Sequence, residues 1–180
     1  MQSWLSFGTI LGVAGSVFGL YQWLIAQRWR KAEFAAAQLQ RLSSDPALLA
    51  CCRALDWDSR TLQVPERWRI EKDELTFQHD WKELLPGMQP ENQKKFFSRT
   101  QVIYRDLFDE LFTYLEQINH FIGIGLIRTE HVESLSYWLR ELANPRFGSP
   151  TTFIPFIEHY QYTGVLELMK RFKVNHGDAS

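Results

Sequence analysis

The sequence has only two cysteines, Cys51 and Cys52, and they are neighbours. Neighbouring cysteines rarely bridge, because a disulfide demands particular Cα and Cβ separations. With no second pair there is no CxxC zinc knuckle. They read as two thiols on a helix, at least one buried as a small hydrophobe, in a reducing compartment. Charge of one sign is also scarce: 20 Lys and Arg against 21 Asp and Glu give a net charge of -1. The densest basic clusters, Arg28-Trp29-Arg30-Lys31 and Lys170-Arg171-Phe172-Lys173, are short. This argues against a nucleic-acid partner, which needs a concentrated basic face to displace counterions. Sequence motifs of catalysis are missing: there is no GxGxxG, P-loop, HExxH or GxSxG. The paired Glu-x-x-His of di-iron bundles is absent as well. No cofactor and no metal is expected.

One absence is informative in the positive sense. From Trp4 to Ala26, about 23 residues, there is no charged side chain, enough for a helix to cross a hydrocarbon core of about 30 Å. Trp4 at one end, and Tyr21, Trp23 and Trp29 near the other, read as interfacial aromatic belts, with Arg28, Arg30 and Lys31 just outside. A cleaved signal peptide fits poorly, since basic residues come after the apolar run rather than before it. The positive-inside bias places the N-terminus outside and the remaining chain in the cytoplasm. Gly8, Gly12 and Ser16 recur at intervals of four, Gly19 comes three further on, and Gly15 and Gly19 form a second GxxxG pair. Such a small-residue stripe lets two membrane helices approach closely, whether the partner is a second copy or another membrane protein.

Residues 26–42 contain no Gly or Pro and are rich in Ala, Gln, Arg and Glu, so the membrane helix is expected to run on unbroken. Ala32, Ala35, Ala36, Leu39 and Leu42 give it an apolar stripe. Asp45-Pro46 reads as a cap and first position of a new helix whose inner face is Leu48, Leu49, Cys52 and Leu55. Residues 61–90 are less regular, with a short helix expected over His79–Leu85 and an extended piece at Leu75–Phe77. The strongest periodicity is Tyr104, Leu107, Leu111, Leu115, Ile118 and Ile122, widened by Phe108, Phe112 and Phe121. That helix is expected to start near Ser98 or Thr100 and stop at Gly123 or Gly125. A further helix runs from a Thr129 cap to Leu142, with Val132, Leu135, Trp138, Leu139 and Leu142 inward. Residues 151–160 and 164–172 supply one or two closing helices, and residues 175–180 a disordered tail. The expected fold is all-α: one N-terminal transmembrane helix continuing into a small cytoplasmic helical bundle. The divisions are 1–27 anchor, 28–44 juxtamembrane helix, 45–174 helical domain and 175–180 tail.

Candidates for chemistry are few. Asp56-Trp57-Asp58-Ser59-Arg60 sets two carboxylates about an indole, and an arginine comes next. It reads as a structural corner in which Trp57 plugs the core, or as an interaction site. The enzymatic alternative makes the Asp pair acid and base. Glu116 and His120 are four apart and could share a metal, but with Asp106, Asp109 and Glu110 they read as a solvated acidic face. His79, His131, His159 and His176 fall in charged or loop contexts. Tyr160 and Tyr162 are expected to close the bundle against Trp138 and Phe153.

Three runs carry a resemblance: Ala54-Leu55-Asp56-Trp57-Asp58-Ser59-Arg60; Arg105-Asp106-Leu107-Phe108-Asp109 with Tyr114-Leu115-Glu116; and Tyr137-Trp138-Leu139. Over roughly residues 20–172 the chain resembles a family of small bacterial proteins of unknown function, in which an apolar N-terminal segment precedes a helical domain. The resemblance implies a bacterial source and this architecture, and no activity, cofactor or catalytic residue. The expectation is a non-enzymatic, membrane-anchored interaction module or accessory subunit in a bacterial cell membrane. One alternative is an oligomerising effector, of stress or phage defence, that perturbs the bilayer. The other is an enzyme using Asp56, Asp58 and Arg60.

Overall fold

The computed structural model describes residues 2–69, 75–94, 96–144 and 153–174, with the side chains of residues 2–11, 13 and 14 excepted. The expected tail at 175–180 lies outside the described residues, as do Trp4 and Gly8 in their side chains. Helix α1 spans Gln2–Ser44 without interruption, as the lack of Gly and Pro over 26–42 predicts. At about 1.5 Å per residue it is roughly 65 Å long, twice the apolar thickness of a bilayer. Among the described residues, however, no helix is long and apolar enough to cross a membrane. Of the uncharged run, only Gly12 and residues 15–26 have described side chains.

Helix α2, Pro46–Asp56, starts where expected: the Asp45 carboxylate accepts from the backbone N–H of Ala47 at 2.8 Å and of Leu48 at 3.4 Å, with Pro46 in the first turn. Both cysteines are buried in it, and the Cys51 thiol donates to the carbonyl of Leu107 at 3.0 Å. Burial pushes the Cys52 thiol up to about 12, and the Cys51 thiol is raised well above its ordinary value, again chiefly by burial. Both therefore stay as unreactive thiols near neutral pH.

The chain is mostly helical, as expected, and departs from an all-α fold only in one small hairpin after α2. Strands β1 (Ser59–Gln63) and β2 (Thr76–Asp80) pair antiparallel, with Ser59 opposite Asp80 and Gln63 opposite Thr76. Each strand fully buries a single side chain, Leu62 in one and His79 in the other. One buried residue per strand gives little alternation to read, and the connection is too long for a two-residue hairpin signal. His79 thus belongs to a strand, and the short helix expected over His79–Leu85 is α3, Trp81–Gly87, capped by Asp80.

Helix α4, Arg99–Gly123, is the central element, packed by α2 and α3 and by the closing helices. Its start is a complete capping box: Gln101 N–H donates to Ser98 Oγ, and Gln101 Oε1 accepts from Ser98 N–H. Tyr104, Leu107, Phe108, Leu111, Phe112, Leu115 and Ile118 are all buried, as their spacing predicts. The helix expected from Thr129 to Leu142 is instead a 3₁₀ turn, Thr129–Val132, and then α5, Leu135–Ala143. Val132, Leu135, Leu139 and Leu142 still face inward. Helices α6 (Phe153–His159) and α7 (Thr163–Arg171) close the bundle.

The second half of α1 belongs to this bundle. Ala35 and Leu42 are buried, Phe34 meets Phe121 edge-on at 5.1 Å, and Tyr114 donates its hydroxyl to the Gln38 carbonyl at 3.0 Å. Ala32 and Ala36, expected in the inner stripe, are exposed, because the buried track runs through Phe34, Ala35, Leu39 and Leu42.

Candidate functional site

Three places collect the residues that the sequence singles out or conceals. The first is the apolar half of α1. Val17, Phe18, Leu20, Tyr21, Trp23, Leu24, Ile25 and Trp29 are between 36% and 72% exposed. They lie all round the helix rather than on one face. Gly12, Gly15 and Gly19 each have open space where a Cβ would stand, so no described residue of this chain fills the small-residue face. Ser16 donates to the Gly12 carbonyl at 2.9 Å, an internal bond within the helix.

The second is the junction where α1 leaves the bundle. The Lys31 ammonium donates to the Gly125 carbonyl at 2.6 Å, joining α1 to the turn after α4. Gly125 has φ +71°, the left-handed geometry of a helix end, and Leu126 N–H returns to the Phe121 carbonyl at 2.9 Å. Beside this bond a cleft of about 770 Å³ opens between α1 and the 3₁₀ turn. Trp23, Gln27, Arg28 and Lys31 line it from α1, and Arg128 and His131 from the turn. An adjoining hollow of about 420 Å³ shares Arg28 and His131 and adds Trp29. Arg28 and Lys31 are legible as a basic collar. Arg128 and His131 are not, because in the chain they stand beyond α4, far from the apolar run.

The third is the corner after α2. The Tyr137 hydroxyl donates to Asp56 Oδ1 at 2.7 Å, Asp58 is exposed, and the Arg60 guanidinium lies 5.2 Å from the Trp57 ring centre. Trp57 does not plug the core: its indole is 53% exposed. It is the Trp57 carbonyl that is used, accepting from His79 Nε2 at 2.8 Å and from Trp81 Nε1 at 3.1 Å. Trp81, one position past the strand, is the tryptophan that fills the core.

His79, read from its neighbours as a charged or loop residue, is fully buried. Its Nε2 must carry the proton, since its partner there is a carbonyl. Its Nδ1 then accepts from the Tyr104 hydroxyl at 2.6 Å, and Tyr104 in turn accepts from Asp80 N–H at 3.1 Å. Burial holds the His79 pKa below its ordinary value and raises that of Tyr104. Both ring nitrogens of His79 and the Tyr104 hydroxyl thus have partners within the fold.

The acidic residues of α4 are not a solvated face either. Glu116 Oε1 accepts from the N–H groups of Gly164 at 2.6 Å and Val165 at 3.2 Å, capping α7 from another helix. Its carboxyl atoms stand 3.0 Å from where a Cβ on residue 164 would be, so a side chain there would push the Glu116 carboxylate back by a few tenths of an ångström. Asp109 accepts from the Tyr162 hydroxyl at 3.0 Å, and Glu110 pairs with Arg67 at 3.0 Å. Glu116 is thus occupied and His120 is exposed on the next turn. Among the described residues no group of three or more His, Cys, Asp or Glu could hold a metal ion.

Tyr160 and Tyr162 do close the bundle, but on different partners from those expected. Tyr160 packs on Phe156, with ring centres 4.5 Å apart, and Tyr162 on Phe112 at 5.2 Å. Tyr160 also accepts from Arg105, a buried arginine whose role nothing in the sequence signals. Arg105 donates to the carbonyls of Gly87 and Gln89, both at 2.9 Å, and lies 4.3 Å from the Phe97 ring centre. No family model, curated protein or solved structure matches this chain.

Proposed function

We propose that the chain is a membrane-anchored, non-enzymatic interaction module, with α1 as a single-pass anchor and the helical bundle on the cytoplasmic side of a bacterial cell membrane. The observation that carries this reading is the exposed apolar surface on every side of α1 over residues 17–25, continuous with the uncharged run back to Trp4. Removing these large apolar side chains from water contributes on the order of 10 kcal/mol, a magnitude comparable to the net stability of a whole domain. A bilayer accepts such a helix, and Arg28, Arg30 and Lys31 favour the cytoplasmic side for the bundle.

The non-enzymatic part rests on occupied chemistry. Asp56 is engaged by Tyr137, Glu116 caps α7, and His79 is locked as a neutral donor–acceptor bridge. The interaction part rests on the glycine-lined face of α1, which no described residue of this chain covers. The partner is a second copy or another membrane protein, as an accessory subunit would require. The test is extraction of the full-length chain from its membranes in mild detergent, with sizing and mass spectrometry of its companions. A stoichiometric assembly supports the reading. A monomer with no companion removes the interaction role. Depolarisation of cells on induced expression would instead favour a bilayer-perturbing effector.

A further inference from the structure

The cleft between α1 and the Thr129–Val132 turn has a composition that the anchor alone does not account for. Arg28 and Lys31 from one side and Arg128 and His131 from the other converge on it, and no carboxylate among the described residues lines it. The nearby acids of the turn, Glu130 and Glu133, line a separate hollow with Arg171 and Lys173. His131 Nδ1 accepts from the Arg128 N–H at 3.4 Å, which leaves Nε2 as the position from which the ring can donate. Lys31 uses one of its donors on Gly125 and keeps the others.

The level of the cleft along α1 decides what it meets. It runs from Trp23 to Lys31, a rise of about 12 Å. That is of the order of the headgroup layer, with Trp23 on the apolar side and the charges on the aqueous side. The Lys31–Gly125 bond holds the turn at this depth, and Ile124, next to Gly125, is 62% exposed there. We propose that this cleft binds the phosphate headgroup of an anionic phospholipid, with Arg28, Lys31 and Arg128 as the charged donors and His131 as a further hydrogen-bond donor. The lipid fixes how the bundle sits against the membrane. The inference rests on the anchor reading, because only an inserted α1 brings a headgroup to this height.

The test is reconstitution of the full-length chain in nanodiscs of phosphatidylcholine with a minority of phosphatidylglycerol. Release into mild detergent and native mass spectrometry then count retained lipid. The wild type is expected to keep phosphatidylglycerol in preference to phosphatidylcholine. Arg128→Gln is expected to weaken that retention about fivefold, the effect of one basic charge near a membrane surface, with the thermal melt of the bundle unchanged. Arg30→Gln, whose residue lies outside the cleft lining, is expected to weaken it much less. Equal effects of the two variants, or no headgroup preference in an inserted wild type, would overturn the headgroup site and leave the anchor standing. Displacement of the lipid by inorganic phosphate bound equally well without a bilayer would overturn it in favour of a soluble anion. Failure of the chain to enter the discs at all removes the anchor, and the headgroup site with it.

Discussion

The Nδ1 of His79 lies 2.6 Å from the hydroxyl of Tyr104, and the only arrangement that satisfies both ends of the imidazole is a neutral ring protonated at Nε2. This ties β2 to α4 and to the carbonyl at the end of α2. Protonation would turn Nδ1 into a donor and deprive the Tyr104 hydroxyl of its acceptor, inside a site where unpaired polar groups are costly.

Stability should therefore depend on pH. Burial lowers the folded-state pKa of His79 from its ordinary value of 6.5. The unfolded chain binds the proton first, and the stabilisation is complete above about 6.5 and declines as pH falls through it, by at most about 1.4 kcal/mol per pH unit. Asp106 and Asp109, whose carboxyls burial raises above 3.8, act in the opposite sense upward from that value. Denaturant melts of the wild type and His79→Gln at stepped pH isolate the imidazole. The variant should be less stable at pH 7 and lose the slope just below 6.5. An unchanged slope would contradict the assignment.

Arg105 should tolerate no conservative replacement. Its planar fork serves the Gly87 and Gln89 carbonyls and Tyr160 at once while stacked on Phe97, and an ammonium cannot reproduce that geometry. Arg105→Lys is expected to cost about 2 kcal/mol and Arg105→Ala about 3 kcal/mol or more, through buried carbonyls left unpaired. Glu91, its exposed ionic partner at 3.4 Å, contributes little, so Glu91→Gln should change stability by less than about 0.5 kcal/mol. Chemical denaturation ranks the three.

Two helix ends offer stabilisation. Gln161 and Lys173 adopt φ of 60° and 54° after α6 and α7, and in each case the next N–H returns to the preceding helix. The comparable end of α4 uses Gly125. Glycine removes the Cβ clash of this conformation, so Gln161→Gly and Lys173→Gly should each raise stability by about 0.5–1 kcal/mol in thermal melts. A loss in both would show that their side chains matter more than their backbone.

The glycine face gives a contrast between folding and assembly. Because a Cβ at Gly12 or Gly19 meets nothing among the described residues, Gly12→Leu with Gly19→Leu should leave the melting of the bundle unchanged while reducing the size of the detergent-extracted complex. Unchanged assembly would rule out the helix–helix contact.

Legibility in the sequence tracks the strength of the local physical signal. The continuity of α1, the Asp45-Pro46 start of α2 and the Ser98–Gln101 box with its long apolar stripe are local and periodic, and each is present. The hairpin is hidden because Leu62 and His79 are single buried residues among polar neighbours. Trp81 rather than Trp57 fills the core, and the two indoles, chemically identical, are told apart only by the fold. The basic cleft is half visible: Arg28 and Lys31 stand out beside an apolar run, whereas Arg128 and His131 join them only through the fold.

Anchoring of the bundle to a membrane through α1, from the cytoplasmic side, can be checked in bacterial cells expressing the full-length chain. Alkaline extraction of membranes and protease treatment of intact spheroplasts are combined in one experiment. An anchored chain stays with the membrane pellet at high pH, and its bundle is digested only after lysis. Release into the alkaline supernatant would contradict the anchor, and digestion in intact spheroplasts would contradict its orientation.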